Sequence, residues 1–183
     1  MSWITGKIRG FCLSWGLTVL CAGMAHAAGV EGTDAQVKAA FVFNFMRYVD
    51  WPEGVPGAAG PLVVCLAGSR TATTQALAAL EGRQVKGREV RLRQADHDPA
   101  GCQVLVFGEG DLDSALLQRA RGRPILTVGE GWSFLEEGGV IALAVVDGKM
   151  AFGANLEAAR RSGLRLGSQM LKLARRIVDS PAK

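Results

Sequence analysis

Short stretches of continuous apolar residues recur along the chain, separated by glycine-rich turns. Such runs, when bounded by turn signals, are typical of strands that are buried on both faces of a sheet. They lie at residues 62–66, 104–107, 124–128 and 140–146. Residues 88–93 alternate instead, with Val90 and Leu92 on one side, which predicts a half-exposed strand near a sheet edge.

Segments with helical character stand between these strands. The longest is 37–52, VKAAFVFNFMRYVDWP, which contains no glycine and no proline before Pro52. Thr33 and Gln36 have the spacing of a capping box at its start, and Pro52 is expected to end it. Further helices are predicted at residues 71–80, at 111–120 with Asp111 as cap, at 132–136, at 155–162 with Asn155 as cap, and at 169–178 with Ser168 as cap.

The first helix has few polar residues, and they share one side. At ~100° per residue, Asn44, Arg47 and Asp50 fall on one arc, and most of the remaining circumference is apolar. A core helix packed between the sheet and a second layer would explain this pattern. The alternative is a helix that docks onto a partner protein, with Asn44, Arg47 and Trp51 as candidate partner-binding residues, since Trp and Arg are enriched in binding hot spots.

The alternation of buried strands with helices predicts the fold class. It indicates an α/β sandwich: a single domain over residues 28–183 with a mostly parallel central sheet and helices on both faces. Asp147-Gly148 lies between two strand-like segments and is a strong signal for a tight turn. The sequence therefore predicts one antiparallel hairpin in the otherwise parallel sheet.

The first 27 residues have the features of a secretory signal peptide. Cleavage is expected between Ala27 and Ala28, with export to the periplasm. Two alternatives stay open, a retained N-terminal anchor and lipidation at Cys21. Lys7 and Arg9 form the positive region, and residues 11–23 form the apolar region. Ala25 and Ala27 are the small residues of the cleavage site.

Charge and hydropathy exclude two classes of partner. The formal net charge of +4 falls to +2 without Lys7 and Arg9, and the basic residues are interleaved with acidic ones. This distribution does not indicate nucleic-acid binding. No run after the signal peptide is apolar enough to cross a membrane.

Two of the four cysteines, Cys65 and Cys102, remain after the signal peptide is removed. An even pair in an exported protein points to a disulfide, because the compartment is oxidising. Two buried thiols are the alternative. The bridge would join neighbouring strands and is expected to have a mainly structural role.

No catalytic set assembles from the sequence. His97 is the single histidine beyond the signal peptide, and no G-x-S-x-G motif is present. Glycine–glutamate–glycine turns at 108–110 and 129–131 lack the third glycine of a dinucleotide site, and their acids repel phosphate. The sequence therefore predicts a binding or regulatory domain that is not an enzyme, with no cofactor and no metal.

A small-ligand-binding module, acting with a receptor or sensor kinase, is the competing function. Its site would be the crevice at the carboxyl ends of the parallel strands. The candidate lining residues are Gly68, Ser69, Gly108, Gly129 and Trp132.

Three stretches occur together in a particular order and spacing. They are the helix at 37–52, residues 125–130 leading to 138–141, and residues 150–159 followed by 162–168 and 171–174. In this arrangement the chain resembles the YfiR family of periplasmic regulators, over nearly all of its length after the signal peptide.

The resemblance implies a periplasmic protein with a compact α/β fold and no enzymatic activity. The best-known members bind the periplasmic sensor domain of an inner-membrane diguanylate cyclase and hold it inactive, which keeps cyclic-di-GMP and biofilm formation low. Such a sensor domain is the expected partner, and a homodimer is left open. Cys65 and Cys102 match a disulfide pair of the family pattern, whereas residues 140–152 contain no counterpart of a second pair.

We expect the mature protein recovered from the periplasm to begin at Ala28, because the Ala25-x-Ala27 site follows a basic and then an apolar region. N-terminal sequencing and intact mass measure this directly. A chain that begins at Met1, or one lipidated at Cys21, would contradict the expectation.

Overall fold

The computed structural model describes residues 33–54, 59–110 and 112–179, so the expected signal peptide and its cleavage site at Ala27 and Ala28 lie outside the described residues. The helices are α1 (Asp34–Tyr48), α2 (Ala72–Leu77), α3 (Ser114–Ala120), α4 (Ser133–Glu136), α5 (Leu156–Arg161) and α6 (Ser168–Leu171), with a 3-10 turn at Ala78–Leu80 after α2. The strands are β1 (Val49–Asp50), β2 (Leu62–Ala67), β3 (Gln84–Val85), β4 (Arg88–Gln94), β5 (Val104–Phe107), β6 (Leu126–Glu130), β7 (Ile141–Val146), β8 (Lys149–Asn155), β9 (Arg165–Leu166) and β10 (Arg176–Val178).

Across the described residues, eight strands form one sheet in the order β10-β8-β7-β6-β5-β2-β4-β3. The pairing is parallel along the series of neighbours β4-β2-β5-β6-β7, and it is also parallel between β8 and β10. It is antiparallel in the predicted hairpin β7–β8, and also in a hairpin β3–β4 that was not predicted. β1 and β9 form a separate antiparallel ladder. The predicted α/β domain with a mostly parallel sheet is confirmed.

Helices cover both faces of this sheet. On one face α1, α2, α5 and α6 pack against a large apolar cluster that includes Val64 and Val104. On the other face α3 and α4 pack against a second cluster that includes Cys65 and Leu105. Successive side chains of a strand point to opposite faces, so a strand covered on both sides must be apolar at every position. The continuous apolar runs of the sequence have this origin.

The start of α1 agrees with the prediction and its end does not. The Thr33 hydroxyl accepts a hydrogen bond from the Gln36 N–H, and the Gln36 side chain accepts one from the Thr33 N–H, as in a capping box. The helix ends at Tyr48 and not at Pro52, because the next two residues become extended and pair with β9. The local pattern did not indicate this ladder, because its two strands lie far apart in the chain.

One side of α1 is buried and the other faces solvent. Val42 is fully buried, whereas Asn44 and Arg47 are exposed. Phe43 is half-buried, and the Arg83 guanidinium lies 4.2 Å from the centre of its ring. The helix is therefore amphipathic and packs against one apolar surface, in contrast to the enclosed helix expected from its sequence.

The C-terminal segment differs most from its predicted form. The expected helix over 169–178 is replaced by the single turn α6 and by strand β10, which pairs with β8. Ser168 is not the cap, since Gly167 occupies that position without a side-chain hydrogen bond. Met170 is buried but Leu173 is 76% exposed. The open edge of β8 binds the backbone of this segment, and that pairing outweighs its helical pattern.

Two further boundaries are shifted. α3 is capped by Asp113, whose carboxylate accepts a backbone hydrogen bond, and the predicted cap Asp111 lies outside the described residues. β6 extends to Glu130, so that Gly129 and Glu130 belong to the strand and not to the turn after it.

Asn155 joins β8 to α5 and is 1% exposed. Its Oδ1 accepts a hydrogen bond from the Ala158 N–H at 2.9 Å, which makes it the N-cap of α5. Its Nδ2 donates to the Leu135 carbonyl oxygen, also at 2.9 Å. One side chain therefore fixes the start of α5 and the end of α4 relative to the sheet.

We expect Asn155→Ala to lower the free energy of unfolding by roughly 2 kcal/mol, because it removes an N-cap and the side-chain donor to the Leu135 carbonyl, which keeps its hydrogen bond from the Gly138 N–H. Urea unfolding measures the change. Asn155→Ser keeps a capping oxygen without the amide donor, so its loss should be smaller. An alanine variant as stable as the wild type would show that neither bond matters.

Candidate functional site

A cavity of about 470 Å³ opens at the edge of the sheet where the parallel strands β5 and β6 end. Ligand sites of open α/β sheets lie at this edge, outside the carboxyl ends of the strands. Residues of α1, α2, β7 and β8 complete the wall. The lining residues are Asp34, Ala35, Lys38, Ala72, Thr73, Glu109, Glu130, Gly131, Trp132, Leu143, Ala144, Val145 and Met150.

Lys38 is the central charged residue of this cavity. Its side chain is 10% exposed, and its Nζ lies 2.6 Å from Oε2 of Glu130 and 3.6 Å from Oε2 of Glu109. Glu130 ends β6 and Glu109 follows β5. A single ammonium on α1 therefore bridges two strand ends. A buried ammonium needs such partners, because an unpaired buried charge is strongly destabilising.

This ion-pair cluster was not predicted from the sequence. Lys38 is the one charged residue among the buried residues of α1, and Glu109 and Glu130 occupy equivalent places in two strand–Gly-Glu-Gly units. Lysine is almost never buried unless it is paired. A lysine on an otherwise apolar helix face, together with an acid at the end of each of two strands, is the signal that would have indicated the contact.

Of the residues predicted to line a ligand crevice, Trp132 lines this cavity. Its indole packs over Gly153, where a Cβ atom would come within 2.8 Å of the ring. Gly68 and Ser69 lie in the exposed turn after β2 and are not among the lining residues. A crevice is therefore present at the carboxyl ends of the strands, but most of its lining residues differ from the predicted ones.

The other two predicted crevice residues have packing roles. Gly129 lies inside β6, where a Cβ atom would come within 2.4 Å of the Phe134 ring. At Gly108 a Cβ atom would come within 2.9 Å of the Thr71 side chain. Both glycines make room for a neighbouring side chain, and neither lines the cavity.

The predicted partner-binding residues lie in two places. Asn44 and Arg47 are on the exposed side of α1, and neither side chain has a hydrogen bond or ion pair within the described part of the chain. Trp51 lies beyond the helix and is half-buried, and its Nε1 donates to the Gln103 carbonyl oxygen at 3.1 Å. Because α1 ends before Trp51, the three residues do not share one helical arc.

Trp51 stands between two surface cavities of about 260 and 510 Å³, which also share Asp50, Pro52 and Glu53. Lys86 Nζ donates to Asp50 Oδ1 at 2.6 Å, and this bond holds the pKa of Asp50 below its ordinary value. Both side chains are about half exposed, so the pair contributes little to stability. This surface combines a fixed indole with polar grooves on either side of it.

Cys65 and Cys102 form a disulfide with a Cα–Cα distance of 5.8 Å. Cys65 lies in β2 and Cys102 just before β5, and these strands are parallel neighbours in the sheet. Both cysteines are buried. Arg93 Nη2 donates to the Ala100 carbonyl oxygen at 2.7 Å and approaches Cys102 Sγ at 3.2 Å. The bridge and this arginine together hold the loop before β5 against the sheet.

Within residues 33–54, 59–110 and 112–179, no group of three or more metal-ligating side chains comes together. Over the same residues, none of the helices has the length and apolar character that a bilayer span requires.

A model of the YfiR/HmsC-like family matches residues 35–175, which is well over half of the chain. The chain belongs to the YfiR/HmsC-like family. The matched region contains α1 except its first residue, the disulfide, and Lys38 with Glu109 and Glu130. Membership supports a regulatory, non-catalytic role in the periplasm, within the cyclic-di-GMP pathway and with a protein partner.

The fold of this YfiR/HmsC-like protein is also similar to a solved structure from Streptococcus pneumonia, an ABC domain in complex with L-Trp. The TM-score is 0.51 at 10% sequence identity, and the match covers 79% of this chain. It covers 60% of the solved chain. The likeness supports the α/β architecture and no more.

We expect the double variant Cys65→Ser/Cys102→Ser to melt at a lower temperature. In the chain-entropy model a bridge across 37 residues contributes about 4 kcal/mol. Free-thiol counting on the denatured, unreduced wild type should find no thiol in the mature chain. Two free thiols would falsify the bridge in solution, and an unchanged melting temperature would contradict its structural role.

Proposed function

We propose that this protein binds the periplasmic sensor domain of an inner-membrane diguanylate cyclase and represses it, which lowers cyclic-di-GMP and biofilm formation. The observation that carries the proposal is the family match over residues 35–175.

Removal of the protein from its host tests this proposal directly. Deletion should raise cellular cyclic-di-GMP and surface attachment, and expression of the exported protein should restore both. Cross-linking in intact cells should recover a membrane protein with a diguanylate cyclase domain. If deletion leaves cyclic-di-GMP unchanged under conditions in which the protein is expressed, the proposed repression is wrong.

We further propose that the exposed side of α1 forms part of the partner surface, with Asn44 and Arg47 as anchors and Trp51 at its border. The Asn44 and Arg47 side chains are solvent-exposed and have no polar partner within the described residues, so they are available to a partner protein. Arginine and tryptophan are frequent anchors of interfaces. The fixed indole of Trp51 would lose little conformational entropy on binding.

We expect Arg47→Glu to weaken partner binding and raise cyclic-di-GMP, because it places a carboxylate where the proposed surface presents a cation. Arg119→Glu is a matched control, since Arg119 is also exposed and in the last turn of a helix, but α3 covers the opposite face of the sheet. Both changes oppose the helix dipole and should cost similar, small amounts of stability.

The readouts are cellular cyclic-di-GMP and the amount of folded protein in the periplasm. Full repression by a well-expressed Arg47→Glu variant would remove this side of α1 from the interface. Equal loss of repression in both variants would attribute the effect to charge in general and would equally contradict the assignment.

A second candidate function, a small-ligand-binding module, is favoured by the cavity of about 470 Å³ at the carboxyl edge of the sheet. Its size falls within the range of small-molecule sites. Charged and apolar residues converge on it, as in sites that fix the orientation of a ligand. We propose that a ligand here acts together with the regulatory role, since α1 carries both Lys38 in the cavity and Arg47 on the proposed partner surface.

A further inference from the structure

The cavity at the carboxyl edge of the sheet carries more negative than positive charge. Among its lining residues, Asp34, Glu109 and Glu130 are acidic, and Lys38 is the single base. Lys38 is bound to Glu130 and neutralises one of the three carboxylates. With three carboxylates and one ammonium, the lining side chains have a net formal charge of −2, which favours a cation over an anion.

Glu130 has an acceptor atom that no described protein group uses. Its Oε2 receives the Lys38 ammonium at 2.6 Å, while its Oε1 is buried and has no hydrogen-bond partner within the described residues. A buried acceptor without a donor is unfavourable, so such atoms are rare in folded proteins. A donor carried into the cavity by a ligand would satisfy it after a rotation of the carboxylate.

Glu109 adds a second carboxylate at the same place. Its Oε2 lies 3.6 Å from the Lys38 ammonium, so both glutamates approach one nitrogen atom. The Glu109 side chain is 78% exposed, in contrast to 19% for Glu130. It is therefore free to move toward an additional positive charge at little cost in packing.

The rest of the wall offers apolar surface. Trp132, Val145 and Met150 line the cavity, and Val145 is 59% exposed. Indole rings attract ammonium groups through the cation–π interaction. Apolar side chains remove the hydrocarbon part of a ligand from water. Carboxylates beside tryptophan and aliphatic side chains form a site that suits an amine on an apolar body.

We propose that this cavity binds a small organic cation, a primary amine whose ammonium lies between Glu130 and Glu109 and whose apolar body contacts Trp132 and Val145. The proposal deepens the second candidate function and rests on it. Lys38 shows the same chemistry within the chain, because its own ammonium on an alkyl stem occupies part of this site.

Three probes of one shape but different charge test the proposal. Phenethylamine, L-phenylalanine and 3-phenylpropionate share a phenylethyl body and are a cation, a zwitterion and an anion at neutral pH. Calorimetric titration into the purified protein, without any partner, should give the tightest binding for phenethylamine, weaker binding for L-phenylalanine and none for 3-phenylpropionate. Equal binding of the three, tighter binding of either carboxylate, or no saturable binding of the amine overturns it.

Two variants should change the amine affinity in opposite directions. Glu130→Gln removes the charged acceptor and should weaken phenethylamine binding roughly tenfold or more. Lys38→Met removes the internal ammonium, so the ligand should bind more tightly and raise the melting temperature of this variant more than that of the wild type. Glu89→Gln, on β4, is the control for loss of one carboxylate and should leave binding unchanged.

Glu109→Gln keeps the test decisive if Glu130→Gln does not fold, because Glu109 is largely exposed and its loss should weaken binding without unfolding the domain. Unchanged amine affinity in Glu109→Gln, or weaker binding in a folded Lys38→Met, contradicts the site. Since the titration needs no cyclase, its failure would leave the proposed repression intact, and loss of repression in cells would not decide the ligand class.

Discussion

The packing of α1 against the sheet is the contact on which most of the structure depends. Phe45 is 1% exposed, and its ring centre lies 5.0 Å from that of Phe152 on β8 and 5.8 Å from that of Phe41. Burial of a large side chain contributes about 1.5–3 kcal/mol, and aromatic pairs add to it. No comparable apolar cluster would cover this face of the sheet without the helix.

The same packing positions the charged and polar sites at the two ends of α1. Near its start, Lys38 reaches the carboxyl ends of β5 and β6. Just beyond its end, the chain pairs with β9, and the Gly167 N–H donates to the Tyr48 carbonyl oxygen at 2.8 Å. Trp51 follows and is fixed to the loop before β5. The position of one helix thus determines the geometry at both ends of the central parallel strands.

The architecture could be predicted because its signals are local. Apolar runs identified the central strands, and Asp147-Gly148 identified the hairpin, where both residues adopt positive φ angles of 51° and 72°. The segment after Gly167 could not be predicted in this way. Its apolar residues do have helical spacing. Its pairing partner, however, is the free edge of β8, which lies earlier in the chain, and the local pattern does not indicate that pairing.

The candidate site shows the same division. The cavity lies at the carboxyl ends of the parallel strands, where the sequence predicted a crevice, and Trp132 is among its lining residues. The ion pair between Lys38 and Glu130 joins residues 92 positions apart, and it depends on α1 crossing the end of β6. Gly129 was misplaced because β6 extends two residues further than its apolar run. These positions depend on how segments far apart in the chain are aligned with one another. The periodicity of the sequence does not encode that alignment.

The two outer strands of the sheet have a consequence for association between copies of the chain. β3 is only two residues long, and β10 is three residues long, with Arg176 as its first residue and Arg175 directly before it. An exposed strand edge invites pairing with another chain, and short strands and charged side chains oppose it. Ile177 is 48% exposed on β10, so the arginines lie beside the apolar side chain that would otherwise favour such pairing. Short outer strands and charged side chains therefore oppose growth into filaments through the sheet.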